Sequence, residues 1–336
     1  MRELLVLMPI YDDWESAGIV LRRLDEVLAE RADLHVRALL LDDGSHHHPA
    51  QTGELAVPGA SIRALRVLHL RRNLGHQRAI AVGLTYAHEQ TDCDLVLVMD
   101  ADGEDRPEDV PRLLDALAER EDEPIVFAAR ARRVRGLGFS LGYLGYRVLH
   151  RVLVGFMTRV GNFSLVPRSQ LARLTVCSEL WGHYAAAVFK ARLPCLTVEA
   201  DRGRRLRGNS RMGALSLVVH GLRAIAVFGE RVAVRTLTAT FAAGLAVLAA
   251  LGVVLGIQPA LPLEWVLGSA AFALILLCQL GASAALLAFL TLTARQGSAF
   301  LPARDYSFFV AGVDELAIET VSAERVSSEP SPAQAG

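Results

Sequence analysis

Among the 35 basic residues of this 336-residue chain only one, Lys190, is a lysine, so nearly all the positive charge is guanidinium. The Gly-rich, lysine-containing loop with which P-loop proteins and sugar nucleotidyltransferases cradle phosphates is missing. No Ser/His/Asp or Cys/His pattern for a protein nucleophile is present either. The four cysteines (Cys93, Cys177, Cys195, Cys278) form no CxxC pair, and Cys278 lies in an apolar run, which reads as reduced, structural thiols. The start, "MRELLVLMPIYDD", has too short an apolar stretch for a signal peptide. Charge is absent altogether from Thr236 to Ile257 and from Trp265 to Thr293.

What is present divides the chain in two. The net charge is -1 and 52% of residues are hydrophobic, but the apolar excess is concentrated in those two uncharged runs. Each exceeds the roughly 20 residues a helix needs to cross a bilayer, and neither has the polar stripe of a soluble core helix. Arg231 and Arg235 precede the first run, Arg295 and Arg304 follow the second, and the loop between has no basic residue. The positive-inside rule then puts both ends, and everything before residue 236, in the cytoplasm, as a multi-pass protein of the inner or plasma membrane.

Residues 1–210 alternate aliphatic runs with helical patterns: "ELLVLMPI", "ESAGIVLRRLDEVLAE", "VRALLLDDGS", "IRALRVLHL", "QRAIAVGLTYAHEQ" and "DLVLVMDAD". That order predicts an α/β fold with a doubly wound, mostly parallel sheet, whose ligands bind beyond the carboxyl ends of the strands. The polar clusters stand there: Tyr11 to Asp13, Asp42 to Ser45, Arg72 to Gly75 and Asp100 to Glu104. The stretches 137–160 and 211–235 carry arginine and histidine at helical spacing on apolar helices, a pattern for helices lying in the membrane interface. Ordinary packing on the sheet is the plain alternative. Residues 294–336 read as a cytoplasmic tail, disordered from Ser322, with 294–321 carrying no assignable pattern.

The fourth cluster is the most demanding chemically. After Leu95 to Met99, a strand buried on both faces, Asp100, Asp102, Glu104 and Asp105 crowd negative charge that repels unless a cation is held there. Carboxylate oxygens are what Mg2+ and Mn2+ prefer, and such an ion would offset the charge of a nucleoside diphosphate leaving group. Asp42-Asp43-Gly44-Ser45 reads either as a capped turn or as a carboxylate accepting from a base or ribose. Arg72, Asn73 and Gly75 precede a helix start, a ready phosphate site or a capped turn. His46 to His48 have no partner pattern for a metal. Arg202 to Met212, "RGRRLRGNSRM", is a basic loop suited to lipid headgroups or to clamping one phosphate; without interleaved aromatics it does not suit nucleic acid.

In order along the chain, "MPIYDD", "LLLDDGS", "LRRNLGHQRAIAVGL", "VMDADGEDRPEDV", "GNFSLVPR" and "RRLRGNSRM", followed by two apolar runs, resemble the inverting GT-A glycosyltransferases of the dolichol-phosphate-mannose synthase and bacterial polyprenyl-phosphate glycosyltransferase type. The resemblance implies a GT-A, Rossmann-like catalytic domain over 1–210 and a UDP- or GDP-sugar donor. It also implies a polyprenyl (undecaprenyl) phosphate acceptor in the membrane and a Mg2+ or Mn2+ ion. Residue by residue it implies that Pro9, Tyr11 and Asp13 line the nucleotide pocket and that Asp42 or Asp43 meets the base. Asp100 and Asp102 would bind ribose, diphosphate and metal with Glu104 as a further ligand, and Arg130 would meet the diphosphate region. Arg205, Ser210 and Arg211 would hold phosphate as the acceptor loop closes.

The chain departs from the pattern in four places: Asp12-Asp13 for the usual Asn-Glu, Glu104 for Gln, Asn162 for Asp before Phe163, and Arg211 for Lys. Asn162 leaves a general base at that position in doubt. A lipid phosphate needs none, because its oxygen is already anionic near neutrality. Two alternatives stay open: transfer to a hydroxyl of a lipid or glycan, and a membrane scaffold that binds nucleotide sugar without turnover. A homo-oligomer held by the two runs is likewise left open.

Overall fold

The computed structural model describes residues 1–47, 55, 59–130, 137–155, 160–207, 214–257, 262–296 and 300–316. They fall into two compact units, one of Met1–Arg132, Arg159–Ser210 and Leu301–Gly336, the other of Arg133–Thr158 and Arg211–Phe300.

In the first unit the described residues build an eight-stranded sheet. Its strands are β1 (Arg2–Ile10), β2 (Leu34–Asp42), β3 (Ile62–Leu70), β4 (Leu95–Val98), β5 (Ile125–Arg130), β6 (Val160–Pro167), β7 (Cys195–Ala200) and β8 (Val310–Leu316). The order is β7-β5-β6-β4-β1-β2-β3-β8, with β6 and β8 antiparallel to their neighbours and the remaining pairs parallel. The chain winds outward from β1 through β2 to β3, then returns to the other side of β1 as β4. That reversal opens a crevice past Ile10 and Val98, where an open α/β sheet binds ligands.

Why the inner strands read as pure aliphatic is now plain: both faces are covered. Leu4, Val6, Met8 and Ile10 of β1 face one core, and Leu5 and Leu7 face the other. Helix α1 (Trp14–Leu28) buries Trp14, Ala17, Leu21, Leu24 and Leu28, one stripe at 3.6-residue spacing, in the first core. Helix α2 (His76–Gln90) lies on the second, and Gly83 lets it approach closely. A Cβ there would stand 2.4 Å from Leu41 Cδ1 and 2.7 Å from Leu7 Cδ1. The remaining helices of this unit are α3 (Val110–Ala118), α5 (Arg168–Thr175), α6 (Tyr184–Lys190) and α10 (Pro302–Asp305).

The second unit holds α4 (Leu137–Val154), α7 (Ala214–Ala226), α8 (Gly229–Ile257) and α9 (Leu263–Gln296). Within the last two, Gly229–Val254 and Glu264–Ala288 are long and apolar enough to cross a membrane. Their apolar side chains are exposed, among them Phe241, Leu248, Trp265 and Phe272, as suits surfaces that meet lipid. Thr236, Thr238 and Thr240 donate their hydroxyls to carbonyls one turn back, at 2.8 to 2.9 Å, so no polar group of theirs is stranded. Helix α4 exposes Val148, Leu149 and Val152, and α7 exposes Val218, Val219 and Leu222. Arg235 caps α4, its Nη1 donating to the Val152 carbonyl at 2.9 Å. Gly155, at φ +97°, makes room, since a Cβ there would lie 2.4 Å from the Arg235 guanidinium.

Two expectations differ from what is seen. The stretch 294–321, left unassigned inside a tail, contains α10 and β8, and β8 closes the sheet edge beside β3. Leu137 to Val154, expected inside the first domain, groups with the C-terminal helices. The disordered stretch expected from Ser322 lies outside the described residues.

Candidate active site

At the end of β1 the chain turns sharply, with Asp12 at φ +48°. Its amide donates to Ser45 Oγ at 2.9 Å, and its carboxylate accepts from the His46 amide at 2.7 Å and lies 2.8 Å from His46 Nδ1. Desolvation works against charge on Asp12, but these contacts outweigh it and hold the carboxyl below its usual range. The Tyr11 ring tilts over His46 with centroids 5.9 Å apart. Pro9 is buried in β1 beside Leu41, and Asp13 is half-buried ahead of α1.

The two aspartates after β2 do different work, which separates what the sequence left together. Asp43 is buried and accepts the amides of Leu74 at 2.6 Å and Gly75 at 2.9 Å, so it locks the loop ahead of α2. Burial pushes its carboxyl up, and those two amides only partly offset the push. Gly44 packs on the same loop, where a Cβ would sit 2.8 Å from the Asn73 amide nitrogen. Asp42 instead faces the strand ends, accepting the Ser45 amide at 2.8 Å on Oδ1, with His69 Nδ1 2.8 Å from Oδ2. Arg72 and Asn73 are exposed, and Gly75, at φ +84°, opens α2.

Beyond β4, Asp105 Oδ2 accepts the Asp100 amide at 2.9 Å and ties the acidic loop into a tight turn. Asp100 Oδ1 stands 3.2 Å from His76 Nε2. Partial desolvation opposes charge on His76, but Asp100, then Asp105 and Asp102, hold the imidazole above its ordinary range. A chain of amides steadies this corner: Tyr184 N–H donates to Gln77 Oε1 at 2.8 Å and Gln77 Nε2 to Asn162 Oδ1 at 2.9 Å. Asn162 Nδ2 in turn lies 2.8 Å from His76 Nε2. Burial, and then Asp100, push the Asp102 carboxyl up; the Glu104 amide and Arg205 pull the other way.

The basic loop after β7 lies directly on the acidic one. Arg205 is ion-paired with Asp102 and Arg202 with Glu104. The backbones touch as well: Gly203 N–H donates to the Glu104 carbonyl and Leu206 N–H to the Asp102 carbonyl, each at 2.9 Å. Two glycines permit the approach, since a Cβ on Gly203 would stand 2.2 Å from the Gly103 oxygen and one on Gly103 2.6 Å from Leu206 Cγ. We expect Gly203→Ala to prise the loops apart and lower any turnover at this site about tenfold or more, the scale of an ångström displacement at a reacting centre. Activity beside melting curves checks this, because the fold itself should lose only a few degrees.

Asp100 and Asp102 suit a hard divalent cation: two half-buried carboxylates disfavour each other's ionisation, and a cation between them relieves that. Glu104, expected as the further ligand, is engaged by Arg202. Among the described residues no three His, Cys, Asp or Glu side chains are arranged as a metal cluster. Arg130 stands at the end of β5, in register with Ala200. Ser210 and Arg211 lie outside the described residues. His69, His76 and Gln77 join the site without having been given a role of their own; their partners are close in space and mostly far in sequence.

Comparison with known proteins matches the N-terminal half of the chain. Residues 5–169 match Glycosyl transferase family 2. The undecaprenyl-phosphate 4-deoxy-4-formamido-L-arabinose transferase of Sodalis glossinidius is 33% identical over 130 residues, 38% of this chain and 37% of that one. The transferase of the same name from Pseudomonas aeruginosa strain LESB58 is 33% identical over 128 residues, 38% of this chain and 35% of its own. The match thus spans little more than a third of these relatives' length. Among solved structures, glucosyl-3-phosphoglycerate synthase from Mycobacterium tuberculosis aligns with 69% of this chain and 80% of its own, at 19% identity and TM-score 0.47. Mannosyl-3-phosphoglycerate synthase from Rubrobacter xylanophilus aligns with 67% and 73%, at 20% identity and TM-score 0.44. The family match thus covers just under half of the chain, the segment that holds most of β1 through β6 and the acidic cluster.

Proposed function

We propose that this chain is a membrane glycosyltransferase that moves a sugar from a UDP- or GDP-sugar to polyprenyl phosphate, undecaprenyl phosphate in bacteria, with inversion at the anomeric carbon. One observation carries the reading: an acidic strand end, Asp100 and Asp102, lies under an arginine loop in backbone contact with it. A site that brings a nucleotide diphosphate and a lipid phosphate together needs both signs of charge within a few ångströms.

In this reading Pro9, Tyr11 and Asp13 line the nucleotide pocket and Asp42 accepts from the base. Arg72, Asn73 and Gly75, at the start of α2, serve phosphate, as does Arg130. Asp100 and Asp102 would hold Mg2+ or Mn2+, which supplies Lewis-acid stabilisation of the departing diphosphate. Glu104 joins them only if Arg202 lets go. Arg205, with Ser210 and Arg211, receives the acceptor phosphate and positions its oxygen.

The acceptor follows from the proton bookkeeping. Asn162, an amide, takes no proton, and Glu179, a conceivable base for a hydroxyl acceptor, is in an ion pair with Lys190 at 3.0 Å. A phosphate oxygen arrives ionised and asks for neither. The curated relatives' names, which specify undecaprenyl phosphate, support the same choice. Arg231, Arg235, Arg295 and Arg304 support a cytoplasmic catalytic unit with both apolar helices spanning the membrane.

The test is direct. Membranes containing the chain, given labelled UDP- and GDP-sugars and undecaprenyl phosphate, are expected to make a glycolipid that disappears with chelator and returns with Mn2+ or Mg2+. Absence of product from every donor overturns the reading, and product on a hydroxyl lipid alone transfers it to the other acceptor class.

A further inference from the structure

Asp42 is held by a residue that is itself held by the far end of the chain. His69 stands directly across from Asp42 in the β2–β3 register, and across from Gly312 in the β3–β8 register. Its Nδ1 is 2.8 Å from Asp42 Oδ2 and its Nε2 is 3.3 Å from Asp314 Oδ2. Asp42, His69 and Asp314 thus form a carboxylate–imidazole–carboxylate row across three neighbouring strands. The row lies where β2 and β3 end, on the face that Leu40 and Val67 line with aliphatic side chains.

A histidine on that face is a polar group among hydrocarbons and needs partners for both nitrogens. Its side chain is 17% exposed and that of Asp42 10%, whereas that of Asp314 is 52% exposed. The inner pair is therefore the stronger contact and the outer one a half-solvated anchor, of small worth to stability by itself. What the outer carboxylate does is bias the imidazole's orientation by its charge, at ion-pair distance and without hydrogen-bond geometry. With Ser45 N–H on Oδ1 and His69 on Oδ2, the Asp42 carboxylate keeps a single orientation, and two of its roughly four lone-pair directions remain for a ligand.

We propose that His69 and Asp314 are positioning residues for the nucleotide, acting in series on Asp42, so that donor binding depends on the strand that follows both apolar helices. This rests on the reading of Asp42 as a nucleotide contact. Arg66 and Glu315 supply the control: they pair on the neighbouring strand positions, Nε to Oε1 at 2.7 Å, and help seat β8 without touching the row.

The experiment titrates detergent-solubilised full-length protein with UDP and with GDP in the presence of Mn2+, by calorimetry, with a melting curve for each variant. His69→Asn and Asp314→Asn are each expected to raise the dissociation constant of the preferred nucleotide about three- to tenfold, as for one well-aligned hydrogen bond. The double variant should be no weaker than His69→Asn alone, because the two act in series. Glu315→Gln should bind like wild type, and Asp314→Asn should melt like it. Full additivity, wild-type binding by both single variants, or an equal loss in Glu315→Gln overturns the proposal. Asp42→Asn separates the layers. If it weakens binding while the other two do not, only the relay is wrong; if it binds like wild type, the role given to Asp42 fails and the relay with it.

Discussion

Replacing Asp102 by asparagine is expected to cut transfer about a hundred- to a thousandfold, the scale on which a preorganised charge at a reacting centre is worth removing. The protein itself should melt no lower than wild type. The sign follows from the direction of the shift. Burial and Asp100 raise the Asp102 carboxyl above 3.8, so the folded state holds that proton more tightly than the unfolded chain. As pH rises from the unfolded value through the folded one, ionising Asp102 costs stability, and at neutrality the cost is complete. Asparagine removes the charge and the cost together. Radiolabel transfer beside a melting curve checks both halves; an active Asp102→Asn protein ends the role assigned to the acidic loop.

The second large effect is one of stability and lies away from the site. Asp25 of α1 is fully buried and accepts three backbone amides: Ala60 at 2.9 Å, Ser61 at 2.7 Å and Ile62 at 2.7 Å. Desolvation opposes its charge, but the amides outweigh it and hold the carboxyl below 3.8. Its contribution is therefore fully present above that value and is lost as pH falls through the lower, folded one. Asp25→Ala strands one buried donor, the Ile62 amide, and two part-buried ones, those of Ala60 and Ser61, which costs about 3 kcal/mol. For a domain of this size that is a drop in Tm of about 6 to 12 °C. Thermal unfolding of the variant measures it, and a drop under about 2 °C would show that water satisfies those amides instead.

Much of the architecture was legible because parallel strands covered on both faces leave no choice of side chain. The aliphatic runs ending at Ile10, Asp42, Leu70 and Met99 announced both the sheet and the crevice, and the uncharged runs announced the two long helices. The acidic cluster was legible for the same reason, since carboxylates at the end of a buried strand demand explanation. Three things were not. Asp42 and Asp43 are adjacent in sequence, and only the turn into the Leu74–Gly75 loop decides which one is spent on backbone amides. The arginines of the basic loop read as suited to lipid headgroups or to clamping one phosphate; that two of them rest on Asp102 and Glu104 depends on contacts 98 and 103 residues apart. Strand β8, with most of its residues exposed on an edge, lacks an aliphatic run, and its partner β3 lies more than two hundred residues upstream. No local pattern can register such a pairing.

That last strand sets a timetable for biosynthesis. Translation delivers β1 to β7 first, then both long apolar helices, and only afterwards the segment that covers the open flank of β3. While the helices are being made, a row of ungratified amides and carbonyls stands bare on the nascent sheet, the kind of flank that recruits foreign strands. Completion of the sheet beside Asp42 and His69 is thereby postponed until both long helices have been made, and an early stop or a bulky fusion placed between Gln296 and Val310 would leave a ribosome product with that flank unfinished.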